Sequence, residues 1–412
     1  MRFAFVTTFF GRHRFGGDAA FVERLAAALV RRGHEVEVFW SQDAFEAVRG
    51  GREPLPYTPP PGLVMHPLRS RWPLWAAARV HQTGGLGPYR HSLGRRLVAG
   101  HFDVVHLHNV SLVGAAELLA LDVPGAVRLL TVHDHWLACP MSVRWRFDRE
   151  DCPAPACVRC MLQAGRPPQW WRLGGAVGRG FKSLDTVIFP SQRAVSDHAE
   201  RGVAHSRTEV IPYFVPHDWL DETPPDDSRE RFLFVGRLVK EKGLHTLLPL
   251  FRDRPHVGLD VVGDGPYRAE LERLAGPAAN VRFLGAVGAE AVRGHLRRAR
   301  GLLVPSLFPE TLGYVVLEAW SQATPVLVSA AGALPELVAA GGGHVCGTPA
   351  AFAEHVDRWI ENPDSASAAG RAGWQRAVAE FSEDRHVSRY IGLVDRCRGS
   401  GRSAACDAGS GR

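Results

Sequence analysis

Two basic side chains and two carboxylates in the second half of the chain are spaced as if to hold one ligand. FVGRLVKEKG puts Arg237 and Lys242 just past an apolar strand, where open α/β sheets bind their ligands. A guanidinium fork and an ammonium point charge suit a diphosphate, although basic side chains in a solvated loop are common on any surface. Lysine is scarce: of 49 basic residues only Lys182, Lys240 and Lys242 are lysines, and two of these three sit together here. Further on, VPSLFPETLGYVVLEAW places Glu310 in a Pro-flanked loop and Glu318 inside an apolar helical segment. A carboxylate among apolar neighbours needs hydrogen-bond donors, and the vicinal hydroxyls of a ribose would supply them. Gly313, at the start of that segment, lets a phosphate approach free backbone N–H groups and the positive end of the helix dipole.

These groups need a scaffold, and the pattern of elements supplies one. The chain has 412 residues, 45% hydrophobic and 22% charged, which excludes a disordered or fibrous protein and leaves room for two or three domains. There is no apolar run of membrane-spanning length. The start, MRFAFVTTFF, reads as a buried strand and not a signal peptide, so a cytoplasmic protein is expected. It runs through Gly16-Gly17 into AAFVERLAAALVRR, where Phe21, Leu25, Ala28 and Leu29 share one helical face, with Asp18 as expected N-cap and Gly33 as stop. Apolar strands follow at 103–109, 126–134 and 186–191, and a second series at 231–238, 259–265, 281–287, 301–308 and 324–330. Strands alternating with helices predict parallel sheets, here two doubly wound α/β domains facing a cleft. The Pro-rich stretch 217–230 is the expected linker, and 399–412 an expected disordered tail.

GRLVKEKG, VVGDGP (261–266), the E-x7-E spacing of Glu310 and Glu318, and SAAGALPELV (329–338) together resemble the retaining GT-B glycosyltransferases of family 4. The resemblance covers nearly the whole chain. It implies a GT-B architecture of two Rossmann-like domains: an acceptor-side domain at 1–216 and a nucleotide-sugar domain at 231–375. A C-terminal helix at 376–398 is expected to pack back on the first domain. It also implies transfer of a sugar from a UDP- or GDP-type donor to a hydroxyl acceptor. Arg237 and Lys242 would hold the diphosphate, Glu310 the donor sugar and Glu318 the ribose, with Leu312-Gly313 standing where the family has Phe-Gly. Thr311 replaces the usual Gly after the first Glu, and Gly332-Ala333 the usual glycine pair, which bear on the donor sugar and not on the fold. Gly16-Gly17 resembles the loop that closes near the donor phosphates, and His133, after RLLTV, a His beside the transferring sugar. His106 and His108 alternate on one strand and face one side, as metal ligands can, but the resemblance implies that this motif lines the cleft and is structural. No D-x-D pair occurs, so no catalytic metal is expected.

Cys139, Cys152, Cys157 and Cys160 lie in an insertion at about 139–165. C-x2-C with two more thiols is a plausible structural zinc set, the other reading being reduced cysteines in a Pro-rich loop. Residues 54–102 and 152–184 contain no Asp or Glu, yet carry many Arg with Trp72, Trp75, Trp170 and Trp171. With a net charge of +6, these stretches suit an anionic membrane surface or a lipid-linked acceptor, and so a peripheral place at the inner face of the membrane. An Arg-rich solvated surface is the plain alternative. A nucleotide-sugar 2-epimerase on the same fold and a basic nucleic-acid-binding protein are the competing functions. The motifs argue against the first, and no recognition module supports the second, so no nucleic-acid partner is expected.

Overall fold

A computed structural model describes the chain except Arg52, 221–228, Ala278 and 410–412; at 176 and 400–409 the backbone alone is described. The chain folds as two units: Met1–Ser142 with Ala156–Ile211 and His386–Arg412, and Val143–Pro155 with Pro212–Arg385. The boundary thus falls at Ile211/Pro212, ahead of the linker expected at 217–230, most of which lies outside the described residues.

The first unit is built on β1 (Arg2–Thr7), β2 (Glu35–Ser41), β3 (Leu63–Leu68), β4 (Val104–Leu107) and β5 (Val127–Thr131). A two-residue ribbon, β6 (Trp145–Arg146) and β7 (Glu150–Asp151), belongs to the second unit, after which β8 (Thr186–Phe189) and β9 (Thr208–Val210) complete the first. The seven strands run parallel in the order β3-β2-β1-β4-β5-β8-β9. β1 and β4 are buried along almost their whole length, which is why they read as continuous apolar runs. β3 escapes that pattern: it is an edge strand, half-buried, with Pro67 inside it, and an edge can spare the missing N–H. Helix α1 (Gly16–Arg31) buries Phe21, Leu25, Ala28 and Leu29 as its periodicity requires. Its N-cap is Phe15, with no side-chain cap; Asp18 instead lies in the first turn, its Oδ1 accepting from the Ala19 N–H at 2.9 Å.

The second unit carries β10 (Arg231–Val235), β11 (Leu259–Val262), β12 (Val281–Gly285), β13 (Ala299–Val304), β14 (Val326–Ser329) and β15 (Gly343–Cys346). They form a parallel sheet in the order β12-β11-β10-β13-β14-β15. Each sheet reverses its strand order once, between β1 and β4 and between β10 and β13. Such a switch point opens a crevice at the carboxyl ends of the strands. A C-terminal helix, Glu383–Gly409, joins the first unit from His386 on and is helical past the start of the tail expected at 399–412. No helix of the described residues is long and apolar enough to cross a membrane.

Candidate active site

The second unit assembles its polar groups at the β10/β13 switch point. β10 ends at Val235; exposed Arg237 follows, then a short turn at Lys240–Lys242. The next residue must be Gly243. Its φ is +73°, and a Cβ there would overlap the carbonyl oxygen of Pro305, which follows β13. The two post-strand loops therefore press together, and a backbone bond from Leu307 N–H to Glu241 O (2.8 Å) fastens them. Lys242 is delivered to Glu310, Nζ to Oε1 2.7 Å, and stands 4.9 Å over the Phe308 ring. Ser306 Oγ donates to the same Oε1 at 2.7 Å, so the Glu310 side chain is fixed from two sides. Its backbone is fixed too: Gly332 (φ +57°) packs where a side chain would strike the Glu310 main chain, and Ala333 N–H donates to Glu310 O at 2.8 Å. Gly332 thus keeps the one glycine of the expected pair whose space is truly restricted.

Buried Leu312 and then Gly313 lead into the helix Tyr314–Ser321, whose first turn has no side-chain cap. A helix start with no side-chain cap presents the positive end of its dipole, which suits an anion. Glu318 lies in this helix and is half-buried. The structure thus brings Lys242 and Glu310 into contact, and sets Arg237, Leu312, Gly313 and Glu318 on the loops and helix around them.

The first unit gathers a different set. Gly16 and Gly17 are exposed and form the first residues of α1. His133 lies two residues past β5 and is buried, its Nε2 3.0 Å from Nδ1 of His108. Burial pushes the His133 imidazole down to about 3, and both His106 and His108 well below the usual range, so all three are neutral. His106 and His108 share one side of β4, rings 4.1 Å apart, with His106 held by Tyr390 Oη (2.9 Å) and Thr131 Oγ1 (2.8 Å).

Beside His133 stands a group that spacing alone did not reveal. Asn109 Nδ2 donates to Asp134 Oδ2 at 2.9 Å, and Asn109 is also a hydrogen-bond partner of Asp18. Burial pushes Asp18 up to about 6. Burial and the neighbouring Asp18 charge push Asp134 up to about 8, so at neutral pH the Asp134 carboxyl holds a proton. The residues are 25 and more positions apart: Asn109 and Asp134 follow β4 and β5 closely, Asp18 lies in the first turn of α1, and no local pattern in the sequence joins the three.

The four cysteines of the insertion are not gathered into a metal set among the described residues. Cys157 and Cys160 lie on one short helix, Cys157–Gln163; Cys152 Sγ donates to Ala154 O at 3.7 Å; none of the four is in a disulfide. Among the described residues no group of three or more His, Cys, Asp or Glu is placed to hold a metal ion. The C-x2-C spacing here serves one turn of helix, with Cys160 turned into the core.

Glycosyl transferases group 1 matches residues 217–376, and Glycosyltransferase Family 4 matches 15–219. The D-inositol 3-phosphate glycosyltransferase of Streptomyces scabiei is 27% identical over 89% of this chain and 85% of its own length. Other curated relatives are matched over less: the chain spans 30% and 48% of two that are 36% and 31% identical. Among solved structures, sucrose-phosphate synthase from Thermosynechococcus elongatus superposes with a TM-score of 0.72 at 20% identity, covering 97% of this chain and all of that one. HepE of Anabaena, in complex with UDP and glucose, superposes at 0.67 and 18%, covering 96% and 100%. At those identities the structures speak for the fold: two doubly wound α/β units of the GT-B architecture. The chain belongs to the group 1 glycosyltransferases, with its second unit carrying the group 1 match and its first the family 4 match. Neither the epimerase nor the nucleic-acid alternative is favoured by these matches.

Proposed function

We propose that this protein is a retaining glycosyltransferase that moves a sugar from a UDP- or GDP-type donor to a hydroxyl acceptor, without a catalytic metal. The contact between Lys242 and Glu310 at the switch point carries the reading, because it couples a cation suited to a diphosphate with a carboxylate suited to a sugar hydroxyl. In the reaction the bond from the anomeric carbon to the diphosphate oxygen breaks, and one from that carbon to the acceptor oxygen forms on the same face. The acceptor proton passes to the departing phosphate. Arg237, Lys242 and the N–H groups after Gly313 meet the charge that develops on the diphosphate. Glu310 orients the sugar, Glu318 the ribose, and Gly16-Gly17 closes on the phosphates. His133, neutral at every physiological pH, acts toward the sugar as a hydrogen-bonding group and not as a cation.

The acceptor belongs to the first unit in this reading, within polysaccharide, glycolipid or secondary-metabolite synthesis. The basic, acid-free stretches around exposed Trp72, Trp75 and Trp170 support an anionic membrane face beside it, at the cytoplasmic side. The test is thermal shift with UDP, GDP, ADP and their sugar conjugates on wild type, Lys242→Ala and Glu318→Ala. A stabilisation of several degrees by one base, lost in both variants, supports the donor assignment; no shift with any nucleotide in folded protein overturns it. The anomeric configuration of the product, read by NMR, decides retention.

A further inference from the structure

The first unit holds a cavity that none of the donor groups uses. It has a volume of about 570 Å³ and lies over the β1–β2–β3 wing of the sheet, on the turn after β1 and at the ends of β2 and β3. That volume is in the usual range for a small-molecule site. Its walls are Trp40 and Tyr57, with Met65 and Pro67 from β3, and two prolines of the 54–62 loop. Phe10 packs against both aromatic rings, centroids 5.8 Å from Trp40 and 5.9 Å from Tyr57, so the walls are braced from behind. Prolines restrict the backbone of the loop that forms this wall, which lowers the cost of ordering it around a ligand.

One polar side chain in the wall is buried and has a defined proton. His13 is 6% exposed, and its Nδ1 lies 3.2 Å from Nε1 of Trp40. An indole N–H only donates, so Nδ1 of His13 accepts and the ring proton sits on Nε2. Burial, then the nearby Arg12 charge, lowers the His13 imidazole, and the neutral ring offers that Nε2–H as a donor. The rim carries charge of one sign. Arg12 and Arg69 are exposed, and no ion pair holds either among the described residues. The lone carboxylate of the lining, Glu46, is taken by Arg49 at 2.8 Å. Arg69 is not on a loose loop, since the next residue, Ser70, donates its N–H to Asp43 Oδ1 at 3.2 Å.

Flat aromatic and proline walls suit a ring, and a buried N–H suits a hydroxyl on it. Two exposed guanidiniums at the mouth, with no acidic partner among the described residues, suit an anion, and a phosphate can accept from both in fork geometry. We propose that this cavity is the acceptor subsite, and that the acceptor is a phosphate-bearing ring, a sugar or cyclitol phosphate, either free or carried on a lipid. The inference rests on the glycosyltransferase reading and narrows it. A lipid source has its own support at the mouth: Arg69 leads directly to Arg71, whose guanidinium lies 5.5 Å over Trp72, itself 65% exposed, and to Trp75 at 57%.

The experiment is calorimetric titration of the full chain, without donor, using myo-inositol 1-phosphate, glucose 6-phosphate and their unphosphorylated parents. Wild type is compared with the double variant Arg12→Gln, Arg69→Gln, whose two sites are exposed. A parallel arm sediments the protein with vesicles of phosphatidylinositol or of phosphatidylcholine. A phosphorylated ring that binds at least tenfold more tightly than its parent, with the preference lost in the double variant, supports the proposal for a free acceptor. Selective sedimentation with phosphatidylinositol, lost in the double variant, supports the lipid-borne one. Equal binding of phosphorylated and plain rings, an unchanged preference in the double variant, or no binding in either arm overturns it. UDP and GDP titrations on the same samples keep the two readings apart: intact nucleotide binding with a failed acceptor arm removes only this inference.

Discussion

Replacing Glu310 by Gln should tighten binding of a bare nucleoside diphosphate while slowing transfer. Lys242 Nζ lies 2.7 Å from Glu310 Oε1, so a diphosphate must draw the ammonium away from that carboxylate. The side chains are 30% and 11% exposed, a partly buried pair, for which about 0.5–1 kcal/mol is a fair value. Releasing Lys242 from it should improve UDP or GDP affinity roughly two- to fivefold. Relief of repulsion between carboxylate and diphosphate works in the same direction. Gln keeps the oxygen that accepts from Ser306 Oγ at 2.7 Å, so the loop should stay in place. With the sugar's carboxylate partner gone, turnover should fall by about 10²–10³, the usual loss for one directed polar contact in a transition state. Calorimetry with the nucleoside diphosphates and initial rates with the sugar donor read the two effects separately. Weaker diphosphate binding in Glu310→Gln would refute the reasoning, because it would make Glu310 the organiser of Lys242 and not its competitor.

Three further outcomes are expected. Gly202 and Gly243 share nearly the same φ, +74° and +73°, but only Gly243 is hemmed in. Gly202→Ala should therefore cost about 1 kcal/mol of left-handed strain, and Gly243→Ala at least about 2 kcal/mol with weakened nucleotide binding, both read by urea denaturation. Asp134, held at about 8 against an ordinary 3.8, binds a proton on folding, so its contribution to stability is full in acid and is lost as pH rises through about 8. Between pH 6 and 8 the loss should approach about 2 kcal/mol in wild type, and Asp134→Asn should flatten that slope. Because the four insertion cysteines are not gathered as a metal set among the described residues, a strong chelator should leave the melting midpoint unchanged, and a drop of several degrees would support the zinc reading.

Most of the fold was legible because both sheets are parallel and buried. Strands such as β4 and β10 announce themselves as apolar runs between helical periods. Three of the four edges were not: half-exposed β3 carries Pro67, β9 has three residues and β15 only one buried position, whereas edge strand β12 fell within the run read at 281–287. Of the site, the second unit's residues were legible since their groups lie on two short contiguous segments, 237–242 and 310–318. Asp18, Asn109 and Asp134 were not, for no local pattern marks them; they meet only because β1, β4 and β5 are neighbours in a sheet. The cysteines are the opposite case, a local spacing that suits zinc and equally suits one turn of helix.

The protonation of the first unit sets a limit on the mechanism. His133 is neutral with its Nε2 engaged by His108, and His106 and His108 are neutral beside it. None of them can offer a positive charge to the leaving diphosphate, so that charge must come from Arg237, Lys242 and helix N–H groups. The rate should therefore show no titration of His133 near its ordinary 6.5. Stability behaves differently. A depressed imidazole favours folding above 6.5 and loses that advantage as pH falls, about 1.4 kcal/mol for His133 by pH 5.5, so rates must be taken above that pH on protein shown to be folded. The measurement is kcat from pH 5.5 to 8 for wild type and His133→Gln. A flat profile in both, with a lower plateau for Gln, fits a neutral hydrogen-bonding role; a limb near 6.5 in wild type that vanishes in the variant would show a charged imidazole at work and remove the argument.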